Sequence, residues 1–400
     1  TVIGKINAVE MFGGAKVIDF EDGIKSGKIE YIKQEVIDKY LDKVAQQGVH
    51  TDLVADSGLK VVYTPLNGTG NKPVRAILKK IGIKEVTVVP EQENPDGNFP
   101  TCPFPNPEIK EALAKGLELC KTVKPDLLLA TDPDCDRVGI AVPDPEGNYV
   151  LFSGNEVGAM LLKYICQERT ALGTMPKNPV AVKTIVTTDI CKKIAAEYNV
   201  ELREVLTGFK FIGEKIQQFQ DTGSHTFLFG FEESYGFLSS TFVRDKDGVN
   251  ASLLIAEVAC ACAAQGITLY DYVQSIFREY GYFVEKVVSK TLPGKDGLTR
   301  MKEIMKDLRE NPPKELCGMK VTAVRDYLKG TRTADGKVEP TGLPKSDVLY
   351  FELEKGNWVC VRPSGTEPKI KLYVNTNASD KADAEKLNAD LRVASEALLD

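Results

Sequence analysis

The sequence predicts an α/β fold of repeated three-layer α/β domains with parallel or mixed sheets, followed by a smaller α+β domain. Strand-like and helix-like segments alternate from about residue 51 to 153, and the alternation begins again from 154 to 281. From 282 to 400, short strands follow one another before a closing helix. Alternating strands and helices indicate parallel sheets, whereas consecutive strands with flanking helices indicate an α+β domain.

The first alternation begins with the apolar strand 60–63. A turn at Asn67-Gly68 leads into a helix that ends at Gly82, since glycine tolerates the backbone conformation that ends helices. A second strand, a loop rich in proline and glycine, a helix capped by Asn106 and a third strand follow. The second strand is expected at 86–89, the loop at 90–105, the helix at 106–120 and the third strand at 126–131.

The second alternation and the last domain are predicted in the same way. Helices are expected at 155–166, 189–198, after Lys210, at 249–264 and at 269–280, and strands at 180–186, 201–206 and 226–229. In the last domain we expect strands at 321–324, 348–353, 358–361 and 370–374 and a helix after Ser379. Residues 1–50 contain only a possible strand at Val17–Phe20 and an amphipathic helix within 29–44, which suggests the end of an earlier domain.

Composition excludes several classes of protein. With 42% hydrophobic and 27% charged residues the chain is typical of globular proteins. The 57 acidic residues outnumber the 51 Lys and Arg, which argues against a nucleic-acid partner. No segment predicts a membrane span or a signal peptide. Nine scattered cysteines match no zinc or redox motif and are expected to be reduced thiols of a cytoplasmic protein.

An acidic loop is the most informative stretch. Asp132, Asp134 and Asp136 alternate directly after the apolar run 127–129, and Arg137 follows them. Three carboxylates at this density repel one another and are the hard oxygen ligands that Mg²⁺ or Ca²⁺ prefers, while arginine suits a phosphate. A solvated acidic turn is the plain alternative.

Two known types of acidic site fit this loop poorly. An EF-hand starting at Asp132 would need glycine where Arg137 stands and glutamate where Pro143 stands. A phosphatase with an aspartyl nucleophile at Asp132 would place that residue after the first strand of its sheet, whereas here it follows the third.

Three further polar loops follow predicted strands. Thr207-Gly208-Phe209-Lys210-Phe211 offers a lysine that could face a phosphate or transfer a proton, although a surface lysine is the alternative. The segment Gly230–Gly236 holds Glu232, Glu233 and Ser234, which could bind vicinal sugar hydroxyls or form a capping turn. Residues 362–369 combine arginine, two hydroxyls, a glycine and a lysine, which suits a phosphate or a hairpin turn.

The four loops, taken in this order, resemble those of the α-D-phosphohexomutase superfamily, the phosphoglucomutases and phosphomannomutases. The resemblance extends from near Leu59 to the end of the chain. It implies that Asp132, Asp134 and Asp136 bind Mg²⁺. It implies, in addition, contacts from Arg137 and Lys210 to the reacting group, from Thr207, Gly208, Glu232 and Ser234 to the sugar, and from Arg362, Ser364, Gly365, Thr366 and Lys369 to a phosphate.

The family activity implied by this resemblance is the interconversion of glucose 1-phosphate and glucose 6-phosphate. A phosphoserine transfers its phosphoryl group to the sugar phosphate, and glucose 1,6-bisphosphate is the intermediate and activator. The adjacent Glu232 and Glu233 are similar to the glucose-type loop, with mannose or pentose phosphates as alternative substrates. Sugar phosphates are then the expected partners, and the oligomeric state stays open.

One family motif is missing. The phosphoserine motif Thr-Ala-Ser-His-Asn-Pro does not occur, and Ser224-His225 lacks the Asn-Pro and precedes an interior strand. Residues 1–50 resemble only the end of the family's first domain. We therefore expect a fragment that is inactive alone and that binds Mg²⁺ weakly. The alternative is a non-catalytic module that binds sugar phosphates.

Overall fold

The computed structural model describes residues 1–14, 16–292, 296–364 and 367–399. Residues 1–43 form one unit, which contains α1 (Val2–Asn7), α2 (Phe20–Lys25) and most of α3 (Gln34–Ala45). The helix predicted within 29–44 is present as α3. The strand predicted at Val17–Phe20 is wrong, because the Asp19 side chain accepts hydrogen bonds from the amides of Glu21 and Asp22 and starts α2 at Phe20.

Residues 44–400 form the second unit, and its first sheet carries the acidic loop. The strands are β1 (Lys60–Thr64), β2 (Glu85–Val88), β3 (Leu127–Thr131), β4 (Val138–Pro143) and β5 (Tyr149–Phe152), and the helices are α4 (Asn71–Ile81) and α5 (Ala114–Val123). The order is β2-β1-β3-β4-β5, with β1 parallel to both neighbours and β4 and β5 antiparallel. The buried side chains of Val62, Leu128 and Ala141 pack in its core.

Two features of this sheet differ from the sequence expectation. The hairpin β4–β5 was not predicted. Helix α5 begins at Ala114 instead of near Asn106, because the Asn106 side chain accepts a hydrogen bond from the amide of Glu108 and closes a local turn. Those residues therefore form a loop between β2 and α5.

The second sheet has the predicted strand–helix alternation. Its strands are β6 (Pro179–Thr184), β7 (Glu201–Val205), β8 (Thr226–Phe231) and β9 (Phe237–Leu238), with helices α6 (Gly154–Ala171), α7 (Ile190–Glu197), α8 (Phe209–Thr222), α9 (Gly248–Ala264) and α10 (Leu269–Tyr280). The order is β7-β6-β8-β9, and β6 is parallel to β7 and β8. The carboxyl ends of these three parallel strands therefore lie at one edge, where α/β folds place their ligands.

The third sheet is antiparallel throughout. It contains β10 (Tyr282–Thr291), β11 (Glu315–Leu316), β12 (Met319–Asp326), β13 (Thr331–Ala334), β14 (Lys337–Pro340), β15 (Leu349–Leu353), β16 (Trp358–Pro363) and β17 (Lys369–Ala378), with α11 (Gly297–Glu310) and α12 (Lys381–Glu396). The order is β10-β17-β16-β15-β12-β13-β14, with β11 beside β12. Repeated α/β layers followed by this sheet confirm the predicted fold class.

Helix α9 is apolar over most of its length and is followed closely by α10. No single helix among the described residues meets the length and hydropathy expected of a membrane span. The pair meets them only when joined across an 89° bend. Residues 248–262 of α9 are buried, as in the core helix of a folded domain.

Candidate active site

The acidic loop follows β3, as the sequence predicts. The carboxylate oxygens of Asp132, Asp134 and Asp136 lie within 4.8 Å of one another. One oxygen of the buried Asp132 accepts hydrogen bonds from the amides of Asp136 at 3.0 Å and Arg137 at 2.9 Å. Its second oxygen lies 3.7 Å from the Arg137 guanidinium, which is 3.8 Å from Asp136. The geometry of this loop suits a single cation with oxygen ligands.

Two neighbouring segments hold the loop in place. The amide and hydroxyl of Thr69 donate to the carbonyl of Pro133 at 2.8 and 3.0 Å, and Gly68 lies against Pro133 so closely that a Cβ would clash with its backbone. From the other side, the amide of Gly248 donates to the carbonyl of Cys135 at 2.9 Å. Cys135 has a left-handed φ of 59°, which turns the chain between the last two aspartates.

Burial and mutual repulsion shape the charge of this loop. Burial, together with the nearby carboxylates of Asp136 and Asp134, raises the pKa of Asp132 to about 7, against the lowering effects of the hydrogen bond from the Arg137 amide and of the Arg137 charge. A bound cation would favour the ionised form of all three groups. The acidic loop is therefore a site whose charge a cation would balance.

Lys246 is a functional candidate that the sequence prediction missed. Its Nζ lies 2.9 Å from Asp136 Oδ2 and 3.0 Å from Asp245 Oδ1. Burial alone would lower the pKa of this lysine, but the two aspartates raise it above its ordinary value, so Lys246 stays charged. In the sequence, Lys246 stands in the polar segment Arg244–Gly248, about ten residues after the loop Gly230–Gly236, and no local pattern there indicates a contact with Asp136.

The loop after β7 approaches the loop after β8. The amide of Gly208 donates to Glu232 Oε1 at 2.9 Å. The buried Thr207 Oγ1 has no hydrogen-bond partner among the described residues, so it is available to a ligand. Lys210 is exposed and its ammonium group lies 4.9 Å from the ring centroid of Phe211.

The loop after β8 presents two adjacent glutamates with different surroundings. Burial and the neighbouring Glu233 together raise the pKa of Glu232 to about 7, against the lowering effect of Lys246. Glu233 instead accepts hydrogen bonds from Thr184 and Thr187, and the Ser234 hydroxyl donates to it at 3.2 Å. The loop is joined to the acidic loop by an antiparallel bridge between Arg137 and Gly236.

The loop predicted to bind phosphate connects β16 to β17. The Ser364 amide donates to the carbonyl of Lys369 at 2.7 Å, and its hydroxyl accepts from the amide of Glu367 at 3.3 Å. The ammonium group of Lys369 lies 3.2 Å from the Glu367 carboxylate. Arg362 pairs in register with Lys371 across the two strands. Gly365 and Thr366 lie outside the described residues.

The loop after β8, Gly230–Gly236, is called the sugar-type loop below. A cavity of about 480 Å³ adjoins this loop and the third sheet. Glu233, Ser234, Lys371 and Tyr373 contribute to its wall, together with Glu108 from the loop before α5. The sequence prediction included Ser234 but neither Lys371 nor Glu108. Strand alternation from Lys369 would have placed Lys371 on the same face, whereas nothing in the sequence pattern indicates Glu108.

The structure therefore brings several of the predicted residues into two neighbouring groups. The acidic loop, Arg137 and Glu232 are linked by Lys246 and by the bridge to Gly236. Ser234 shares the 480 Å³ cavity with the third sheet. Within the described ranges, neither Lys210 nor Lys369 makes an ion pair with the acidic loop.

Comparison with known proteins gives a consistent result. Three sequence models match in succession: phosphoglucomutase/phosphomannomutase alpha/beta/alpha domain II at residues 38–147, domain III at 153–280 and the C-terminal domain at 300–393. The phosphoglucomutase of Staphylococcus aureus (strain MRSA252) is 38% identical over 387 residues, covering 95% of this chain and 68% of the relative.

Solved structures support the fold. The structure of pp63/parafusin, a phosphoglucomutase of Paramecium, matches with a TM-score of 0.65 at 19% identity, covering 91% of this chain and 61% of that one. A phosphoglucomutase/phosphomannomutase family protein of Burkholderia thailandensis matches with a TM-score of 0.60 at 17% identity, covering 94% and 69%. The chain thus spans about two thirds of the length of its relatives. It belongs to the phosphoglucomutase/phosphomannomutase family, within the α-D-phosphohexomutase superfamily.

Proposed function

We propose that the chain forms the metal- and sugar-binding part of a phosphohexomutase that interconverts glucose 1-phosphate and glucose 6-phosphate. The observation that carries this proposal is the connection between the acidic loop and the sugar-type loop. The Arg137–Gly236 bridge fixes the two loops beside each other, and Lys246, whose charge acts on Glu232, forms an ion pair with Asp136. Phosphoryl transfer depends on this type of positioning, because metal, donor and acceptor must lie in line.

The carboxylates of Asp132, Asp134 and Asp136 would hold Mg²⁺. Three hard oxygen donors within 4.8 Å of one another fit this ion, which keeps several waters and accepts one phosphate oxygen. When bound, Mg²⁺ would neutralise charge on the transferring phosphoryl group. The Arg137 guanidinium, which already lies between Asp132 and Asp136, would contact the same group.

The remaining residues would orient the sugar phosphate. Glu232 and Ser234 would accept or donate hydrogen bonds to sugar hydroxyls, and Thr207 and Gly208 would border the same space. Lys210, which is exposed, is the candidate for proton transfer. Lys246 stays charged beside Asp136, so its ammonium group would instead balance the charge of the acidic loop and of Glu232.

The loop after β16 would bind the phosphate that is not transferred. Arg362 supplies a guanidinium fork, and Ser364 and Lys369 are already joined by a backbone hydrogen bond. Gly365 and Thr366 complete the motif by sequence. The cavity beside this sheet accommodates a hexose-sized ligand, since its volume is about 480 Å³.

The phosphoryl donor in this proposal is a serine phosphate. Its P–O bond breaks as a sugar hydroxyl oxygen bonds to phosphorus, and the hydroxyl proton passes to a base. Glucose 1,6-bisphosphate forms and returns its other phosphoryl group to the serine. The Ser-His-Asn-Pro motif does not occur in this sequence, so we propose that these 400 residues bind hexose phosphates without turning them over.

Two measurements test the proposal. Calorimetric titration of the chain with glucose 1,6-bisphosphate and Mg²⁺ should show saturable binding, whereas the absence of binding would contradict it. In ³¹P NMR spectra, a gene product that adds a Ser-His-Asn-Pro segment should convert glucose 1-phosphate into glucose 6-phosphate. Conversion of mannose or pentose phosphates alone would contradict the assigned substrate.

A further inference from the structure

Glu233 is held by two buried threonines from another strand end. Its Oε2 lies 3.1 Å from Thr184 Oγ1 and 3.3 Å from Thr187 Oγ1. The two hydroxyl oxygens lie 2.7 Å from each other, and both threonines are fully buried. Thr184 ends β6 and Thr187 lies in the turn before α7, so a separate loop positions this carboxylate.

The three contacts share two hydroxyl protons. Two protons can fill only two of the three contacts at once, so in an ordered chain one threonine donates to the other and the second donates to Glu233. Hydrogen bonds to a carboxylate are stronger than those between neutral groups, and chains of them reinforce one another. Removal of either hydroxyl therefore breaks the arrangement.

Lys183 fixes the turn that carries these threonines. This buried lysine donates to the carbonyl of Thr187 at 2.8 Å, and its ammonium group lies 3.0 Å from the carboxylate of Asp189 and 3.3 Å from Glu204. The two carboxylates hold it charged against the effect of burial on its pKa. A fully buried ammonium group with several partners holds this turn rigidly, since breaking such a group of contacts is costly.

The other side of Glu233 faces a ligand space. Glu233 and Ser234 border the 480 Å³ cavity together with Lys371 and Tyr373. Glu232 does not border it, because its carboxylate turns toward the amide of Gly208. The two adjacent glutamates thus point to different surroundings, and only Glu233 has a support from the β6–α7 turn.

We infer that Thr184 and Thr187 are positioning residues that aim Glu233 at the hydroxyl groups of a hexose phosphate. The inference rests on the proposed function and assigns Glu233 as a further acceptor of hydrogen bonds from sugar hydroxyls, beside Glu232 and Ser234, on the side that faces the cavity. One carboxylate oxygen is held by the threonines, and the other stays beside Ser234 for the ligand. Pre-orientation of this kind lowers the entropy cost of binding.

The test compares Thr187→Val with Thr187→Ser in calorimetric titrations of the chain with glucose 6-phosphate and, separately, inorganic phosphate. The valine variant should bind glucose 6-phosphate about five- to tenfold more weakly, the effect of losing one hydrogen bond of ordinary net strength. The serine variant, which keeps the hydroxyl, should bind within about twofold of the unmodified chain. Affinity for inorganic phosphate, which lacks sugar hydroxyls, should not change.

A double-mutant cycle with Glu233→Gln separates positioning from a general loss of structure. If Thr187 acts through Glu233, the two losses should be strongly non-additive. Thr376→Val is the matched control, because this buried threonine donates to the carbonyl of Ala384, away from the cavity. Circular dichroism spectra of each variant should match the spectrum of the unmodified chain, which checks that the variants are folded.

Each outcome has a distinct meaning. Additive losses, an equal loss in the serine variant, or an equal loss of inorganic phosphate binding would overturn the positioning role. If the unmodified chain binds inorganic phosphate but no hexose phosphate, the proposed function itself fails. Binding of glucose 6-phosphate that no Thr187 variant alters would refute only the present inference.

Discussion

Lys246 reaches across from the segment before α9 to the acidic loop, and its Nζ lies 2.9 Å from Asp136 Oδ2. The same ammonium group opposes the raised pKa of Glu232 in the sugar-type loop. One lysine therefore contributes to the electrostatics of both the proposed metal site and the proposed sugar site. Its contact with a proposed metal ligand means that a bound cation and Lys246 compete for Asp136.

Replacing Lys246 with methionine should increase the affinity for Mg²⁺. The substitution removes one positive charge close to the three carboxylates and frees Asp136 Oδ2. We expect the Kd for Mg²⁺ to fall roughly three- to tenfold at low salt, an effect of the size that Coulomb's law gives for charges a few ångströms apart in water. Calorimetric titration measures it, with the exposed Lys306→Met as control. Unchanged or weaker binding would contradict competition for Asp136.

Replacing Asp136 with asparagine should have the opposite effect. An amide oxygen is a weaker ligand than a carboxylate, and the change removes one of three negative charges. We expect Mg²⁺ binding to weaken at least about tenfold, since even changes outside the ligand set alter metal affinity by this much. Asp390→Asn, at an exposed position on α12, should leave binding unchanged. Equal Mg²⁺ affinity in both variants would exclude the acidic loop as the metal site.

These residues show which parts of the site the sequence could reveal. Asp132, Asp134 and Asp136 are neighbours in the chain and follow an apolar strand, so a local pattern predicts them. Lys246 and Thr187 reach the site only through the packing of separate strand ends; Thr187 and Glu233, for example, are 46 positions apart. No local periodicity contains such contacts.

The fold, too, contains elements that a local sequence pattern predicts and elements that it does not. Because buried strands and amphipathic helices have distinct periods, the strand–helix alternation predicted the parallel strands of the first two sheets, but not the antiparallel strands β4, β5 and β9. The strand expected at Val17–Phe20 failed, since the capping side chain of Asp19 overrides the β-propensity of those residues. The predicted start of α5 was wrong for a related reason, because the Asn106 side chain closes a turn and does not cap the helix.

Replacing Gly68 with alanine should displace the acidic loop. A Cβ at this position would overlap the backbone of Pro133, which directly follows Asp132, and backbone atoms cannot rotate away as a side chain can. We expect the substitution to cost about 1–3 kcal/mol of stability, as overpacking commonly does, and to weaken Mg²⁺ binding.

Thermal unfolding and calorimetric titration measure these two effects of Gly68→Ala. Gly97→Ala is the matched control, because a Cβ there meets no atom within 4 Å. The control should keep both properties unchanged. Normal Mg²⁺ affinity in Gly68→Ala would show that the loop tolerates the displacement and that its position is not set by this contact.

Replacing Glu352 with glutamine should make the stability of the third sheet less dependent on pH. Glu352 accepts hydrogen bonds from Arg325 at 2.6 Å and from Arg332 at 2.8 Å. Burial alone would raise its pKa, but the two arginines lower it from 4.5 to about 2. A lowered pKa in the folded state stabilises the protein above the unfolded value, and this contribution is lost as pH falls from about 4.5 to about 2.

The Glu352→Gln variant should therefore be less stable than the unmodified chain by about 1–3 kcal/mol at pH 7, and the difference should shrink toward zero near pH 2. Trp358, the single tryptophan, pairs in register with Glu352, so its fluorescence during urea unfolding reports on this sheet. Glu339→Gln is the control, because Glu339 is exposed and lies 3.9 Å from Arg332. The same charge change there should alter stability by less than about 0.5 kcal/mol, since exposed ion pairs contribute little. A difference for Glu352→Gln that stays constant between pH 7 and pH 3 would show that the lost stability comes from packing and not from the ionised carboxylate.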